Sequence, residues 1–90
     1  MQENEQDSIM EFPCNFPIKV MGVAEENFDM LVVNIVRKHA PDLTEGAVKS
    51  RMSKQGKYVS ITVTVTAKSR QQLDNIYMEL TAHEKVLMAL

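Results

Sequence analysis

The segment from Tyr58 to Thr66 constrains the fold more than any other part of the chain. Apolar β-branched residues alternate there with hydroxyl-bearing residues, namely Val59, Ile61, Val63 and Val65 against Ser60, Thr62, Thr64 and Thr66. This period of two predicts a β-strand with one face in a core and the other face polar but uncharged. A sheet therefore organises the chain, and other elements must cover its apolar side.

Two segments follow the helical period instead. The first, from Glu25 to His39, has its apolar residues on one face at Phe28, Leu31, Val32, Ile35 and Val36. Pro41 ends this helix, and we expect Glu25 and Glu26 in its first turn. The second helix opens with Ser69 and Gln72 as a capping box and ends near His83. Its stripe is Leu73, Ile76, Tyr77 and Leu80.

Three further strands complete the pattern, at 18–23, 47–52 and 85–90, with a hairpin at Lys54–Lys57. The order βαββαβ with right-handed crossovers predicts an α+β two-layer sandwich of the ferredoxin-like type. We expect a four-stranded antiparallel sheet of order 4-1-3-2 with both helices on one face. The seven methionines are interpreted as flexible core filler. The predicted inward set is Ile18, Val20, Val48, Met52, Val59, Ile61, Val63, Val65, Val86 and Met88.

A chain of 90 residues is long enough for one domain. Residues 1–8 are polar and acidic, which predicts a flexible tail. Residues 9–90 form the single predicted domain, including an extended lead-in, 9–17, whose two prolines argue against a helix or a central strand. The strand at 85–90 is apolar on both faces, so we expect the lead-in or a second copy of the chain to cover it. The prediction is a monomer or a weak homodimer.

Several short motifs follow one another along the chain. They run from Glu11-Phe12-Pro13 and Lys19-Val-Met-Gly22 through Arg37-Lys-His-Ala-Pro41 and Ser53-Lys-Gln-Gly-Lys-Tyr-Val-Ser60 to the segments 72–77 and 83–90. Together they resemble the YbeD-like family of small bacterial proteins. The resemblance covers about residues 9–90 in order and spacing. It implies a ferredoxin-like fold similar to ACT-type regulatory domains, which bind small ligands, often amino acids. It implies no activity and no catalytic residue.

The loop after the first strand departs from the ACT pattern. ACT-type domains often have a proline-glycine turn there, whereas this loop runs Gly22-Val-Ala-Glu-Glu26. Two carboxylates at the predicted helix start would repel a ligand carboxylate, which argues against amino-acid binding at this loop. The same end of the sandwich still offers a candidate loop-end site, consisting of Gly22, Tyr58 and His83.

The residues that catalysis or metal binding would need are sparse. One cysteine, Cys14, and two separated histidines, His39 and His83, give neither a zinc site nor a convincing thiol–imidazole pair. The isolated glycines form no phosphate-binding loop. We therefore expect a non-catalytic protein without a cofactor or metal. The single cysteine, with no apolar run of membrane-spanning length and no signal peptide, predicts a cytoplasmic protein with no membrane partner.

Charge is distributed unevenly along the chain. The ten Lys and Arg and twelve Asp and Glu give a net charge of −2, yet residues 46–73 contain six cations and no acid. Four of these cations, Lys49, Arg51, Lys54 and Lys57, fall on the second strand and its hairpin. They either protect an edge strand from self-pairing or form a surface for an anionic partner. The protein's own acidic residues Glu3, Glu5, Asp7 and Glu11 are a further candidate to cover this face.

Two functions follow from this distribution. The first is a regulatory or interaction module that binds a protein partner or a small anionic effector. The alternative is phosphate-directed nucleic-acid binding through the second-strand edge and hairpin. We consider nucleic acid the less favoured partner, because aromatic residues are only 6% of the chain and base stacking needs them.

Overall fold

The alternating segment is strand β3, Tyr58–Ala67, at the centre of the sheet. It pairs antiparallel with β1, Cys14–Val23, along the whole length of both strands. The structure is a computed structural model that describes residues 11–90. The predicted inward residues of β3 are buried, so the alternation indicated the correct core face.

Two shorter strands form the edges of the sheet. Strand β2, Val48–Met52, pairs with β3, and strand β4, Val86–Ala89, pairs with β1. The order is β2-β3-β1-β4, which is the predicted 4-1-3-2 order read from the opposite edge. All three pairings are antiparallel, as expected for an α+β sandwich.

Helix α1, Phe28–His39, and helix α2, Arg70–Ala82, pack against each other on one face of the sheet. A 3-10 turn at Glu45–Ala47 leads into β2. The helix stripes and the inward residues of β1 and β3 form one buried cluster. Burial of each large aliphatic side chain there stabilises the fold by about 1.5–3 kcal/mol. The fully buried members are Ile18, Val20, Val32, Val36, Ile61, Val63, Val65, Ile76 and Leu80. The other face of the sheet carries no helix among the described residues and is called the open face.

The start of α1 differs from the prediction. Asn27 adopts a left-handed conformation with φ of 71°, so the helix begins at Phe28 and Glu25 and Glu26 precede it. Asp29 is the acidic residue of the first turn. The spacing of apolar residues cannot reveal this helix start, because the start depends on the backbone dihedral angle of Asn27 alone.

The start of α2 follows the predicted cap with one addition. The Ser69 Oγ accepts a hydrogen bond from the Gln72 backbone N–H at 3.1 Å. The Gln72 side chain accepts from the Lys68 N–H and donates to the His39 carbonyl oxygen at 2.8 Å. This glutamine therefore ties the first turn of α2 to the end of α1.

The lead-in is part of the sheet, which corrects the expectation that its prolines exclude a central strand. Pro17 lies inside β1 opposite Thr64. The Lys19 N–H points towards β4, where it bonds the Leu90 carbonyl oxygen at 2.9 Å. Pro17 lies two residues before Lys19, so its backbone nitrogen is directed to the same side of β1. No residue of β4 lies opposite Pro17, so the N–H that proline lacks would have had no partner in the sheet. The predicted tail, 1–8, and the first two residues of the lead-in lie outside the described residues.

Two methionines placed in the core by the period are exposed instead. Met52 is 58% exposed, because it ends an edge strand beyond the helices. Met88 is 48% exposed, because an irregular register at Met21 and Gly22 puts it opposite Met21 on the open face. No methionine belongs to the buried cluster of the described residues, so the idea of a methionine-filled core is wrong.

The outward side of β4 is uncovered within residues 11–90. Leu87 and Leu90 are 57% and 63% exposed. The lead-in does not cover them there, because Phe12 and Phe16 pack against the core on the other face.

Candidate functional site

Strand β2 and its hairpin bring together Lys49, Arg51, Lys54 and Lys57, which we call the basic edge. Lys49 lies opposite Thr62 and Arg51 opposite Ser60, so both side chains are on the open face. All four residues are exposed. None of the four has an ion-pair partner among residues 11–90. The sequence pattern had predicted both the edge position and the shared face.

The hairpin between β2 and β3 is held by one serine. Ser53 Oγ accepts hydrogen bonds from the backbone N–H groups of Lys57 and Tyr58, both at 3.1 Å. The Ser53 carbonyl oxygen also accepts from the Gly56 N–H at 2.9 Å, and Gly56 has a φ of 69° that favours glycine. The backbone that carries Lys54 and Lys57 is therefore fixed.

Lys19 is a further cation of this surface that the charge distribution did not single out. It lies opposite Thr62 on β1, so Thr62 is flanked by Lys19 on one side and Lys49 on the other. Strands are about 4.8 Å apart, which separates these two Cα atoms by roughly 10 Å. The predicted strand order and the alternation of β1 together were sufficient to place Lys19 on the same face as Lys49.

Hydroxyl groups occupy the middle of the open face. Ser60, Thr62, Thr64 and Thr66 follow one another along β3, and the Ser60 hydroxyl oxygen is buried without a hydrogen-bond partner among the described residues. No strand residue of this face is acidic within the described chain. Tyr58 is the one aromatic residue there, and Lys57 Nζ lies 5.9 Å from its ring centroid. The face is therefore cationic and rich in hydroxyls, and it offers little for stacking.

The candidate loop-end residues share one end of the sandwich but do not form one site. Gly22 faces the helices, and a Cβ at this position would lie 2.4 Å from Phe28 Cζ. Tyr58, opposite Val23, is on the open face. His83 follows α2, where its Nδ1 accepts from the Lys85 N–H at 3.1 Å. The sheet separates Gly22 from Tyr58, and the Phe28 ring fills the space beside the glycine.

The two helices are linked by a charged cluster. Glu79 on α2 accepts hydrogen bonds from Lys38 Nζ and from His39 Nε2, the latter at 2.8 Å. The hydrogen bond from Lys38 contributes most and the one from His39 contributes next, and both lower the pKa of the Glu79 carboxyl group. The cluster lies on an open groove of about 920 Å³ between the helices, where Lys85 also pairs with Glu25 at 2.7 Å. Its charges are mutually satisfied.

The described residues assemble no cluster that suggests catalysis or metal binding. His39 is bonded to Glu79 and His83 to Lys85, whereas Cys14 begins β1 as a free, partly buried thiol. No group of three or more His, Cys, Asp or Glu within 11–90 is placed to hold a metal ion. Neither helix of the described chain has the length and apolarity to cross a membrane. A non-catalytic role stays a prediction.

Fold and surface together define a small α+β domain with a cationic sheet edge. A family model described as "Protein of unknown function (DUF493)" matches residues 7–90, and the chain belongs to this family. A UPF0250 protein of Chromobacterium violaceum is 51% identical over 87 residues, which are 97% of this chain and 98% of that protein. A UPF0250 protein of Neisseria meningitidis serogroup A is 43% identical over 99% of this chain and 98% of its own length. The YbeD-like resemblance is confirmed.

A solved structure supports the fold. The solution structure of protein HP0495 from H. pylori is similar to this chain with a TM-score of 0.68. The match covers 90% of this chain and 85% of the other at 15% sequence identity. Similarity at this level of identity concerns the fold alone.

Proposed function

We propose that this protein is a non-catalytic interaction module that binds an acidic segment of a protein partner through the basic edge. The observation that supports the proposal is a set of exposed cations that form no ion pair among residues 11–90, beside a sheet face whose described strand residues include no acid. Lys49 and Arg51 share the open face with Lys19, and Lys54 and Lys57 extend the charge onto the hairpin. Elsewhere in the described chain, Lys38 and Lys85 are paired with carboxylates.

The fixed geometry of this surface favours recognition. Binding loses less conformational entropy when the binding groups are already held in place. The hydrogen bonds of Ser53 fix the hairpin, and the Lys57 carbonyl oxygen accepts from the Ala24 N–H at 2.9 Å, which joins the hairpin to β1. Only the side chains of the cations have to be ordered when an acidic partner arrives.

A protein carboxylate suits the surface better than a nucleic acid. Single-stranded nucleic acids bind by stacking on aromatic side chains together with a cationic groove. Tyr58 alone offers a ring on the open face of the described strands. Phosphate-directed nucleic-acid binding is the alternative that the same cations leave open.

A salt titration with defined probes tests the proposal. The probes are a ten-residue glutamate peptide, the corresponding glutamine peptide and a ten-nucleotide thymidine oligomer. We expect the glutamate peptide to bind with an affinity that falls as salt rises, the glutamine peptide not to bind, and the oligomer to bind more weakly than the glutamate peptide. Tighter binding of the oligomer would favour the alternative, and no binding of either would refute both.

Charge reversal locates the binding surface. The double variant Lys54→Glu, Lys57→Glu should weaken binding of the glutamate peptide roughly tenfold, mainly by slowing association. The charge-preserving variant Lys54→Arg, Lys57→Arg should bind like the original protein. Lys68→Glu is a further control for the single variant Lys54→Glu, because both change the net charge equally and Lys68 is an exposed cation after the opposite end of β3. Equal weakening by Lys68→Glu would show that net charge, rather than the basic edge, determines binding.

A further inference from the structure

We infer that the acidic segment adds to the sheet as a fifth strand along the free edge of β2. This inference rests on the proposed function and specifies the bound conformation and the sequence pattern of the partner. The segment alternates acidic residues, which lie on the open face beside Lys49 and Arg51, with apolar residues on the helix side. Main-chain hydrogen bonds supply affinity in this mode, and alternate side chains supply specificity.

The backbone phase of β2 leaves hydrogen-bonding groups on its outer edge. The Ser53 N–H donates to the Tyr58 carbonyl oxygen at 2.8 Å, so the amides of Arg51 and Lys49, in the same phase, face β3. The amides of Ser50 and Met52 therefore face away from β3. Among the described residues no strand lies beyond this edge. A partner strand would meet at least two free N–H groups and the carbonyl groups of the same residues.

The helix side of this edge offers space for side chains of an added strand. A groove of about 370 Å³ lies between α1 and β2, and Val33, Val48 and Ser50 line it together with Asp29, Arg37 and Glu45. A second groove of about 450 Å³ continues past Ser50 to Met52, and its lining includes Glu25, Glu26 and Asp29. Ser50 and Met52 are exposed although their side chains point to the helix side of the sheet, because α1 does not extend over them. Apolar side chains of a partner would cover Val48 and Met52 here, and the carboxylates of these grooves would repel acidic side chains, which keeps the acidic residues of the partner on the open face.

Charge determines which strand can use the edge. A second copy of β2 would bring two further cations beside Lys49 and Arg51, and like charges on paired strands are destabilising. An acidic residue at the same positions would form opposite-charge pairs instead. The same two side chains thus oppose self-pairing and favour an acidic strand. This is why the occupant is an acidic segment of another protein rather than a second copy.

The order of residues in a peptide tests this inference separately from its charge. The probe is an eight-residue peptide of alternating glutamate and valine, and its control has four glutamates followed by four valines. Both have the same composition and net charge. We expect the alternating peptide to bind at least roughly tenfold more tightly. Equal affinities for the two peptides would contradict strand addition while leaving charge-driven binding at the basic edge intact.

Backbone methylation of the alternating peptide tests the main-chain hydrogen bonds. For antiparallel addition, the valine amides face β2, so N-methylation of the valines should abolish binding and N-methylation of the glutamates should not. Loss of binding when only the valines or only the glutamates are methylated supports strand addition. Equal effects of the two sets would overturn it. These peptides require no change in the protein, so a folding defect cannot obscure the result.

Two measurements on the protein locate the added strand. The amide protons of Ser50 and Met52 should become protected from hydrogen exchange when the alternating peptide binds, whereas those of Lys49 and Arg51 should change little. Ser50→Pro removes an outward N–H and should abolish binding, while Ser50→Ala should not. Protection confined to other elements would contradict this site. Failure of the alternating peptide to bind while the ten-residue glutamate peptide binds would refute strand addition alone. Failure of both peptides would refute the proposed function as well.

Discussion

The aromatic ring of Phe28 occupies the space that a side chain at position 22 would need. A Cβ on Gly22 would lie 2.4 Å from Phe28 Cζ and 2.8 Å from the Lys85 carbonyl oxygen. Phe28 is 3% exposed and opens helix α1, so this contact fixes the first turn of the helix over β1. The glycine that looked like part of a ligand site in the sequence therefore serves packing.

Substitution of this glycine should destabilise the fold. Gly22→Ala places a methyl group against a buried ring and a backbone carbonyl, and overpacking of this kind costs about 1–3 kcal/mol. The free energy of unfolding from urea titrations measures the effect. Gly46→Ala is the matched control, because a Cβ there meets no residue of the surrounding structure within 4 Å. The double variant Gly22→Ala, Phe28→Leu should recover part of the lost stability, because leucine lacks the ring that the added methyl group meets. A Gly22→Ala variant as stable as the original protein would contradict the packing role.

The sequence predicted the parts of the fold that repeat a simple period, and it failed where one local geometry decides. The alternation of β3 and the helix stripes determined the order of elements and most of the core. Pro17 and Met88 were misplaced, because the first depends on where β4 stops pairing and the second on an irregular register. Neither is visible in a single strand pattern. The basic edge was predictable because charge and strand period coincide there.

Glu79 gives the helix pair a defined dependence on pH. Its hydrogen bonds to Lys38 and His39 lower the pKa of the carboxyl group, so its contribution to stability is present above the ordinary pKa of a glutamate and is lost as pH falls through the lower folded pKa. Glu79→Gln should therefore be less stable than the original protein near about pH 6, with the difference shrinking towards about pH 3. Thermal melting at several pH values measures this difference.

A carboxylate without such a partner provides the control for that titration. Glu26 is exposed and has no ion-pair partner among residues 11–90. Glu26→Gln should change stability little at any of these pH values. A stability difference for Glu79→Gln that does not vary with pH would show that the cluster acts through packing rather than through the charge of Glu79.

Ser53 links the stability of the hairpin to the position of the basic edge. Ser53→Ala removes the acceptor for two backbone N–H groups and should destabilise the protein by about 1 kcal/mol. The amide protons of Lys57 and Tyr58 should then exchange faster, and the glutamate peptide should bind more weakly because the hairpin is less fixed. Ser53→Asn retains a side-chain acceptor and should recover part of both losses. Unchanged exchange at Lys57 would argue against this role of the serine.

Removal of the two strand cations separates protection of the edge from binding. Thr is well suited to strands, so Lys49→Thr, Arg51→Thr should leave β2 folded while removing its charge. We expect this variant both to self-associate in sedimentation experiments and to lose binding of the glutamate peptide, because the same side chains oppose a second copy and attract an acidic strand.

If the cations only protect the edge, the variant should self-associate but should still bind the glutamate peptide when it is measured as a dilute monomer. Lys49→Arg, Arg51→Lys should remain like the original protein in both measurements. A threonine variant that stays monomeric and retains full peptide affinity would exclude both roles for these residues.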